Sequence, residues 1–175
     1  VKNSWKGILA NGERAGYSDI VIDHAIIEYA VNGIYLNNNS KATISNTVVR
    51  NNGTGVMLQS SSKANITNLT AYDNSKGIYF LNKGAGGSIH QSQIYDNYHG
   101  IYIYSGWAAL ADHPKPVITG NSIYNNRTYN YWTNKYKEPG STTLDATGNW
   151  WGTTDVYEIR SKIYDYADYP TSNPI

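Results

Sequence analysis

Four residues stand at spacings that could do chemistry. Asp73 and Asp96 lie 23 positions apart, and each is followed three positions later by a basic residue, Lys76 or His99. Two carboxylates about 5 Å apart can serve as the acid and the nucleophile of a glycosidase, and the same pair can contribute oxygen ligands to Ca²⁺. Asn51 and Asn125 occupy the equivalent positions in neighbouring segments, however. An Asx turn accounts for Asn51, Asp73, Asp96 and Asn125 together without catalysis, and it is the preferred reading. A second candidate is the segment Tyr104 to Pro116, which holds Trp107, Asp112 and His113. Loops on a rigid scaffold often carry function, and a Trp beside an Asp-His pair could line a groove, although simple loop decoration explains it too. His24 and His90 have no partner at metal-ligand spacing and read as structural.

Aromatic residues offer a third kind of chemistry. The chain has 17 tyrosines in 175 residues. Tyr35, Met57, Tyr79, Tyr102 and Tyr131 recur at one outward position, and Glu28, Arg50, Tyr72, Tyr95 and Tyr124 at another. A tyrosine presents an apolar ring with a polar rim, which suits contact with sugar rings and their hydroxyls. The candidate carbohydrate-binding set is therefore Tyr35, Tyr79, Tyr102, Tyr131, Tyr72, Tyr95 and Tyr124, with Trp107 and Trp132 beside them. Tyrosine also favours exposed strands and pairs well with itself, so a structural role stays open. Glu28 and Arg50 face each other as a surface ion pair worth little.

These positions come from a repeat. Ile22, Ile44, Ile66, Ile89 and Ile118 mark slot zero, at successive separations of 22, 22, 23 and 29 residues. Five positions later stand Ile27, Val49, Ala71, Ile94 and Ile123, and eight later Ala30, Asn52, Asn74, Asn97 and Asn126. Then follow the pairs Gly33-Ile34, Gly55-Val56, Gly77-Ile78 and Gly100-Ile101, and two positions on, Leu36, Leu58, Phe80 and Ile103. A fixed period of this size is the mark of a solenoid whose coils bury their apolar faces only against one another. Alternating apolar residues interrupted by Asn and Gly predict short strands joined by tight corners. The recurrent asparagine is expected to form an inner amide ladder, and the glycine beside it to supply positive φ. In the last block the register places Trp132 inward and Tyr131 outward. The long final gap predicts an insertion at Tyr104 to Pro116, and a further excursion is expected at Arg127 to Thr143.

The pattern Ile-x-Asn-x-x-Val-x-x-Asn-x-x-Gly-Val-x-Leu in Ile44 to Leu58 resembles the repeat of right-handed parallel β-helix proteins, the pectate-lyase-like superfamily. Trp5-Lys6-Gly7-Ile8 and Gly148-Asn149-Trp150-Trp151-Gly152-Thr153-Thr154-Asp155 resemble the motifs that open and close such helices. The resemblance implies an all-β fold, a right-handed parallel β-helix of about six coils with a short C-terminal capping α-helix. It does not name an activity, since that architecture hosts polysaccharide lyases, hydrolases, epimerases and non-enzymes.

One domain over residues 1–175 is expected, with coils at about 5–152 and the helix and tail at 153–175. A start without Met, inside a coil, suggests a fragment of a longer protein. Asp155 with Glu158, and Val156, Ile159 and Ile163 at helical spacing, predict a helix from about Val156 to Asp165 with Trp151 beneath it. The net charge of +1, without a basic stripe, argues against a nucleic-acid partner. No segment is long and apolar enough to span a bilayer. The function expected is a non-catalytic extracellular or cell-surface module that contacts polysaccharide, without a cofactor beyond the Ca²⁺ that Asp73 and Asp96 could hold. A polysaccharide-acting enzyme, and a structural subunit that self-associates, are the alternatives.

Overall fold

The computed structural model describes residues 4–12, 18–106, 112–136, 143–165 and 168. Trp107 lies outside them. After β1 (Ile8–Asn11) come five triplets of short strands. They are β2–β4 (Asp19–Asp23, Ile26–Glu28, Asn32–Asn37), β5–β7 (Lys41–Ser45, Val48–Arg50, Thr54–Gln59) and β8–β10 (Lys63–Thr67, Thr70–Tyr72, Lys76–Leu81). The remaining triplets are β11–β13 (Gly86–His90, Gln93–Tyr95, His99–Tyr104) and β14–β16 (Lys115–Ile118, Ser122–Tyr124, Tyr129–Asn134). A helix α1 (Val156–Ser161) and a last strand β17 (Ile163–Tyr164) follow.

Each triplet is one coil, and its three strands join three parallel sheets. One sheet has seven strands in the order β1-β4-β7-β10-β13-β16-β17, and the other two have five each. Five triplets enclose four full turns, and β1 and β17 add a single strand at the two ends of the seven-stranded sheet. The expectation of about six coils counted those end strands as complete rungs.

Register explains why the period is so strict. Ile22, Ile44, Ile66, Ile89 and Ile118 pair in one inner column, and Ile34, Val56, Ile78, Ile101 and Tyr131 form another. A one-residue slip would turn an entire strand inside out, so insertions are confined to corners. The column interiors are closed to solvent.

The inner ladder is present. Asn52 Nδ2 donates to Asn74 Oδ1 at 3.1 Å, Asn74 to Asn97 at 3.0 Å, Asn97 to Asn126 at 3.1 Å and Asn126 to Asn130 at 2.9 Å. Asn74, Asn97 and Asn126 also accept the backbone N–H of the preceding rung's asparagine, as Asn97 Oδ1 does from Asn74 N at 3.0 Å, and Asn52 accepts that of Ala30. The ladder thus satisfies backbone groups that the corner removes from the sheets.

The neighbouring glycines are needed for a different reason from the one expected. Gly33, Gly55, Gly77 and Gly100 do not adopt positive φ; a Cβ on Gly77 would lie 2.7 Å from the Gly100 carbonyl oxygen and 2.9 Å from Ile94 Cγ2. Close approach of the next rung excludes a side chain there. The left-handed positions of this corner are Tyr29, at φ of 62°, and Asn51, Asp73, Asp96 and Asn125, with φ of 56°, 55°, 53° and 53°. Asn and Asp tolerate this region through local hydrogen bonding, so one backbone demand selects all four.

The C-terminal cap also differs from the expectation. Asp155 caps α1, accepting from the backbone N–H of Tyr157 at 2.8 Å, but the helix ends at Ser161. Val156 is 68% exposed, and no residue of the helix is fully buried. Ile163 and Tyr164 instead leave the helix and extend the seven-stranded sheet beside β16. Trp151 packs partly buried against the core, its ring 6.3 Å from that of Tyr131.

Candidate functional site

The seven-stranded sheet carries the outward column Leu9, Tyr35, Met57, Tyr79, Tyr102, Trp132 and Tyr164, one residue per rung. Trp132, and not Tyr131, occupies this column. One extra residue lies between Asn126 and β16, so Asn126 stands three before Tyr129 where Asn97 stands two before His99. That insertion shifts the register and buries Tyr131 completely. Thr133 takes the inward slot expected for Trp132. Within the excursion expected at Arg127 to Thr143, Tyr129–Asn134 form the regular strand β16, and residues 137–142 lie outside the described residues.

The upper rungs gather more aromatic rings than the column alone. Tyr79 stacks on Tyr102 at 4.9 Å and 4°, and Tyr102 on Trp132 at 4.4 Å and 22°. Tyr164 meets Trp132 edge-on at 76°, and Tyr104 meets Tyr102 at 62°. Parallel stacking occupies facing sides of the Tyr79, Tyr102 and Trp132 rings, and Tyr104 and Tyr164 are tilted against that stack. Beside them, the first residues of the strands form a second row of Lys76, His99 and Tyr129. Lys76 Nζ lies 5.2 Å above the Tyr79 ring and 5.9 Å above that of Tyr102. Burial lowers the ammonium's pKa, and burial together with Lys76 brings the His99 imidazole down to about 4. His99 is therefore neutral at ordinary pH. Tyr79 and Tyr102 are pushed up, first by desolvation, and remain protonated.

The second tyrosine column is self-satisfied. Tyr72, Tyr95 and Tyr124 stack at 5.3 Å per step with 2° and 12° between planes. Arg50 donates to Tyr72 Oη at 2.9 Å and to Glu28 at 2.7 Å, which closes the chain at its lower end. At the upper end Gly152 sits against Tyr124, where a Cβ would come within 2.8 Å of the tyrosine Cβ. Ring faces here are spent on one another, as expected for a structural column.

Asp73 and Asp96 line a recess of about 180 Å³ with Asn74, Ser75, Tyr98 and Arg127. Lys76 and His99 do not line it. Among the described residues no three acidic or histidine side chains converge. Ca²⁺ takes six to eight oxygens, so this carboxylate pair fits such a site poorly, and its left-handed backbone already accounts for both residues. The insertion between β13 and β14 brings His113 into the interior, edge-on to Tyr136 at 4.8 Å. Tyr136 Oη donates to the Pro114 carbonyl at 3.2 Å, which ties the two corner excursions together. Asp112 stays exposed, so no Asp-His pair faces a groove.

The family model for the right-handed beta helix region matches residues 6–149. The chain belongs to the right-handed β-helix family. No curated protein and no solved structure matches this β-helix. The matched span includes the aromatic rows up to Asn134, while Tyr164 of the β-helix falls beyond it. Tyr104 and Tyr164 were missed as site residues. Tyr104 follows Tyr102 by two and so shares its face, a signal open to period-two reading; Tyr164 was masked by helical spacing.

Proposed function

We propose that this β-helix is a non-catalytic extracellular module that binds polysaccharide along the outward face of its seven-stranded sheet. The observation that carries the reading is the cluster of Tyr79, Tyr102, Tyr104, Tyr129, Trp132 and Tyr164 on adjacent rungs. A flat strip with an apolar body and hydroxyl tips suits an extended sugar chain. No Asp or Glu stands at an outward position of that sheet among the described residues, which gives the strip no carboxylate pair for glycoside cleavage. Affinity electrophoresis in gels containing plant, algal and bacterial polysaccharides tests the reading. Retardation by at least one polymer, abolished in a Tyr79→Ala, Tyr102→Ala double variant, is expected; a blank panel removes the proposal.

A second reading, contact between copies, has one observation in its favour. Leu9, Val21, Ile26 and Val31 are 59%, 77%, 65% and 46% exposed on the first rungs. Leu9, Val21 and Ile26 sit on the edge strands of the three sheets at one end of the rod, where an exposed apolar rim suits contact with a second copy. Light scattering across a concentration series tests it, and a monomer throughout would remove it.

A further inference from the structure

The two ends of the rod match each other column by column. Among the described residues, no large exposed apolar side chain lies between Asn32 and Asn97; all stand at or before Val31, or at or after Tyr98. The core is unfinished at the same two ends. Its partly buried members are Ile8, Ile20 and Ala25 on the first rung and Ala146, Trp151 and Ile163 on the last. An opening of about 640 Å³ at the last rung has Leu144, Ala146, Trp151 and Ile163 as its apolar lining. Helix α1 does not line it, and contributes Glu158 and Ser161 to a different recess beside Asn125 and Asn130. The strands β1, β2, β3 and β17 each pair on one side only, so both ends keep a free sheet edge.

Register shows what fits on the last rung. The inner column that starts at Ile8 ends at Ile163. The column of Ile27 ends, past Ile123, at Trp151, because Trp150 bridges Ser122. The column of Ile22 ends, past Ile118, at Ala146, because Ile118 N donates to the Asp145 carbonyl at 2.9 Å. One more rung needs apolar residues in these three columns, and the first rung carries them as Ile8, Ile27 and Ile22.

We propose that copies of this chain stack head to tail, the first rung of one on the last rung of its neighbour, so that the β-helix continues across the junction. This rests on the contact-between-copies reading above and names the partner surface. The free edges offer main-chain hydrogen bonds, as in β-strand addition, and the inner columns offer apolar contacts that fill the opening. Because the two surfaces differ, every added copy leaves one end of each kind exposed, and growth is open-ended. Stacking also runs the outward column of the seven-stranded sheet from Tyr164 on to Leu9 of the second copy.

The chain has no cysteine, so engineered thiols report the junction without background. Val21 and Asp145 stand at opposite ends of one outward column, which passes through Asn65 and Val117, and both side chains are exposed. Across a continued rung their Cα atoms are about 4.8 Å apart, within the range a disulfide spans. Val21→Cys and Asp145→Cys chains, folded by circular dichroism, are mixed under mild oxidation and separated on a non-reducing gel, with Asn65→Cys at mid-rod as the control. The expected result is a heterodimer in the mixture, a ladder of multimers from the double variant, and neither from the control. A dimer from Val21→Cys alone, with no heterodimer in the mixture, sets two first rungs face to face; it overturns stacking and keeps contact between copies. No crosslink in any mixture overturns stacking, and a wild-type monomer across the concentration series overturns the contact reading as well.

Discussion

Replacing Asn97 with alanine should cut the rod's stability more than any comparable change on its surface. The buried Asn97 amide donates to the Ala71 and Tyr95 carbonyls, each at 2.9 Å, and to Asn126 Oδ1 at 3.1 Å. Its oxygen accepts from Asn74 N and Asn74 Nδ2, both at 3.0 Å. Asn74 Nδ2 keeps its bonds to the Val49 and Tyr72 carbonyls, and Asn126 Oδ1 keeps the Asn97 backbone N–H. The Asn74 backbone N–H has no such fallback, and the two carbonyls each lose a donor. At about 1–3 kcal/mol for a buried group left unpaired, and less for groups that keep a second partner, Asn97→Ala should cost about 3–5 kcal/mol. Asn65 is the control: it points outward from β8 and accepts one bond, from Ser88 Oγ at 3.2 Å. Asn65→Ala should cost below about 1 kcal/mol. Urea unfolding followed by circular dichroism gives both values, compared at equal m so that a change in cooperativity along the solenoid is not mistaken for stability. A difference of less than about 1 kcal/mol between the two variants would refute the ladder as the support of this corner.

Three further outcomes follow from particular contacts. Gly77→Ala should destabilise by about 2 kcal/mol or more because its Cβ meets the Gly100 carbonyl oxygen at 2.7 Å, whereas Gly120→Ala, with φ of +68° and nothing within 4 Å, should cost only about 1 kcal/mol of backbone strain. Tyr131→Phe removes a buried hydroxyl that has no hydrogen-bond partner, so the melting temperature should hold or rise while polysaccharide retardation is unchanged. His99 gives a pH signature: the unfolded imidazole takes its proton near 6.5 and the folded one only near 4, so stability should fall as pH drops from about 6.5 to 4. Lys76, Tyr98, Tyr102 and Tyr129 surround that ring, and none of the tyrosines titrates in the window. Unfolding midpoints of His99→Gln should be flatter than wild type over the same range.

The coil architecture was legible because every rung repeats the same inward residues, and parallel stacking turns that repetition into columns. Slot zero, the asparagine ladder and the Glu28–Arg50 pair were placed correctly from spacing alone, the last now a 2.7 Å contact. Spacing could not reveal that Gly77 is excluded from bearing a side chain by the rung above it, since close approach and positive φ select the same residue type. Nor could it detect the single extra residue before Tyr129, because the lost glycine left the last block without its register mark. That one insertion exchanged Tyr131 for Trp132 in the site. The C-terminal helix was placed from its cap, but its end was not: Ile159 and Ile163 have helical spacing, yet the free edge of β16 recruits Ile163 and Tyr164 as a strand. Of the candidate site, the sequence showed the tyrosines but not their difference in state. Only the packing separates a column closed by Arg50 and Gly152 from a strip that holds a desolvated lysine and unpaired ring nitrogens.

The central claim is that sugar chains lie on the seven-stranded sheet, and residue-by-residue NMR mapping during titration with oligosaccharides of a polymer that retards the protein tests it most directly. The account predicts perturbations concentrated at Lys76, Tyr79, His99, Tyr102, Tyr129 and Trp132, with Tyr72, Tyr95 and Tyr124 silent. Perturbations centred instead on the Asp73 and Asp96 recess or on the Tyr72 column, or none at all at saturating ligand, would contradict it.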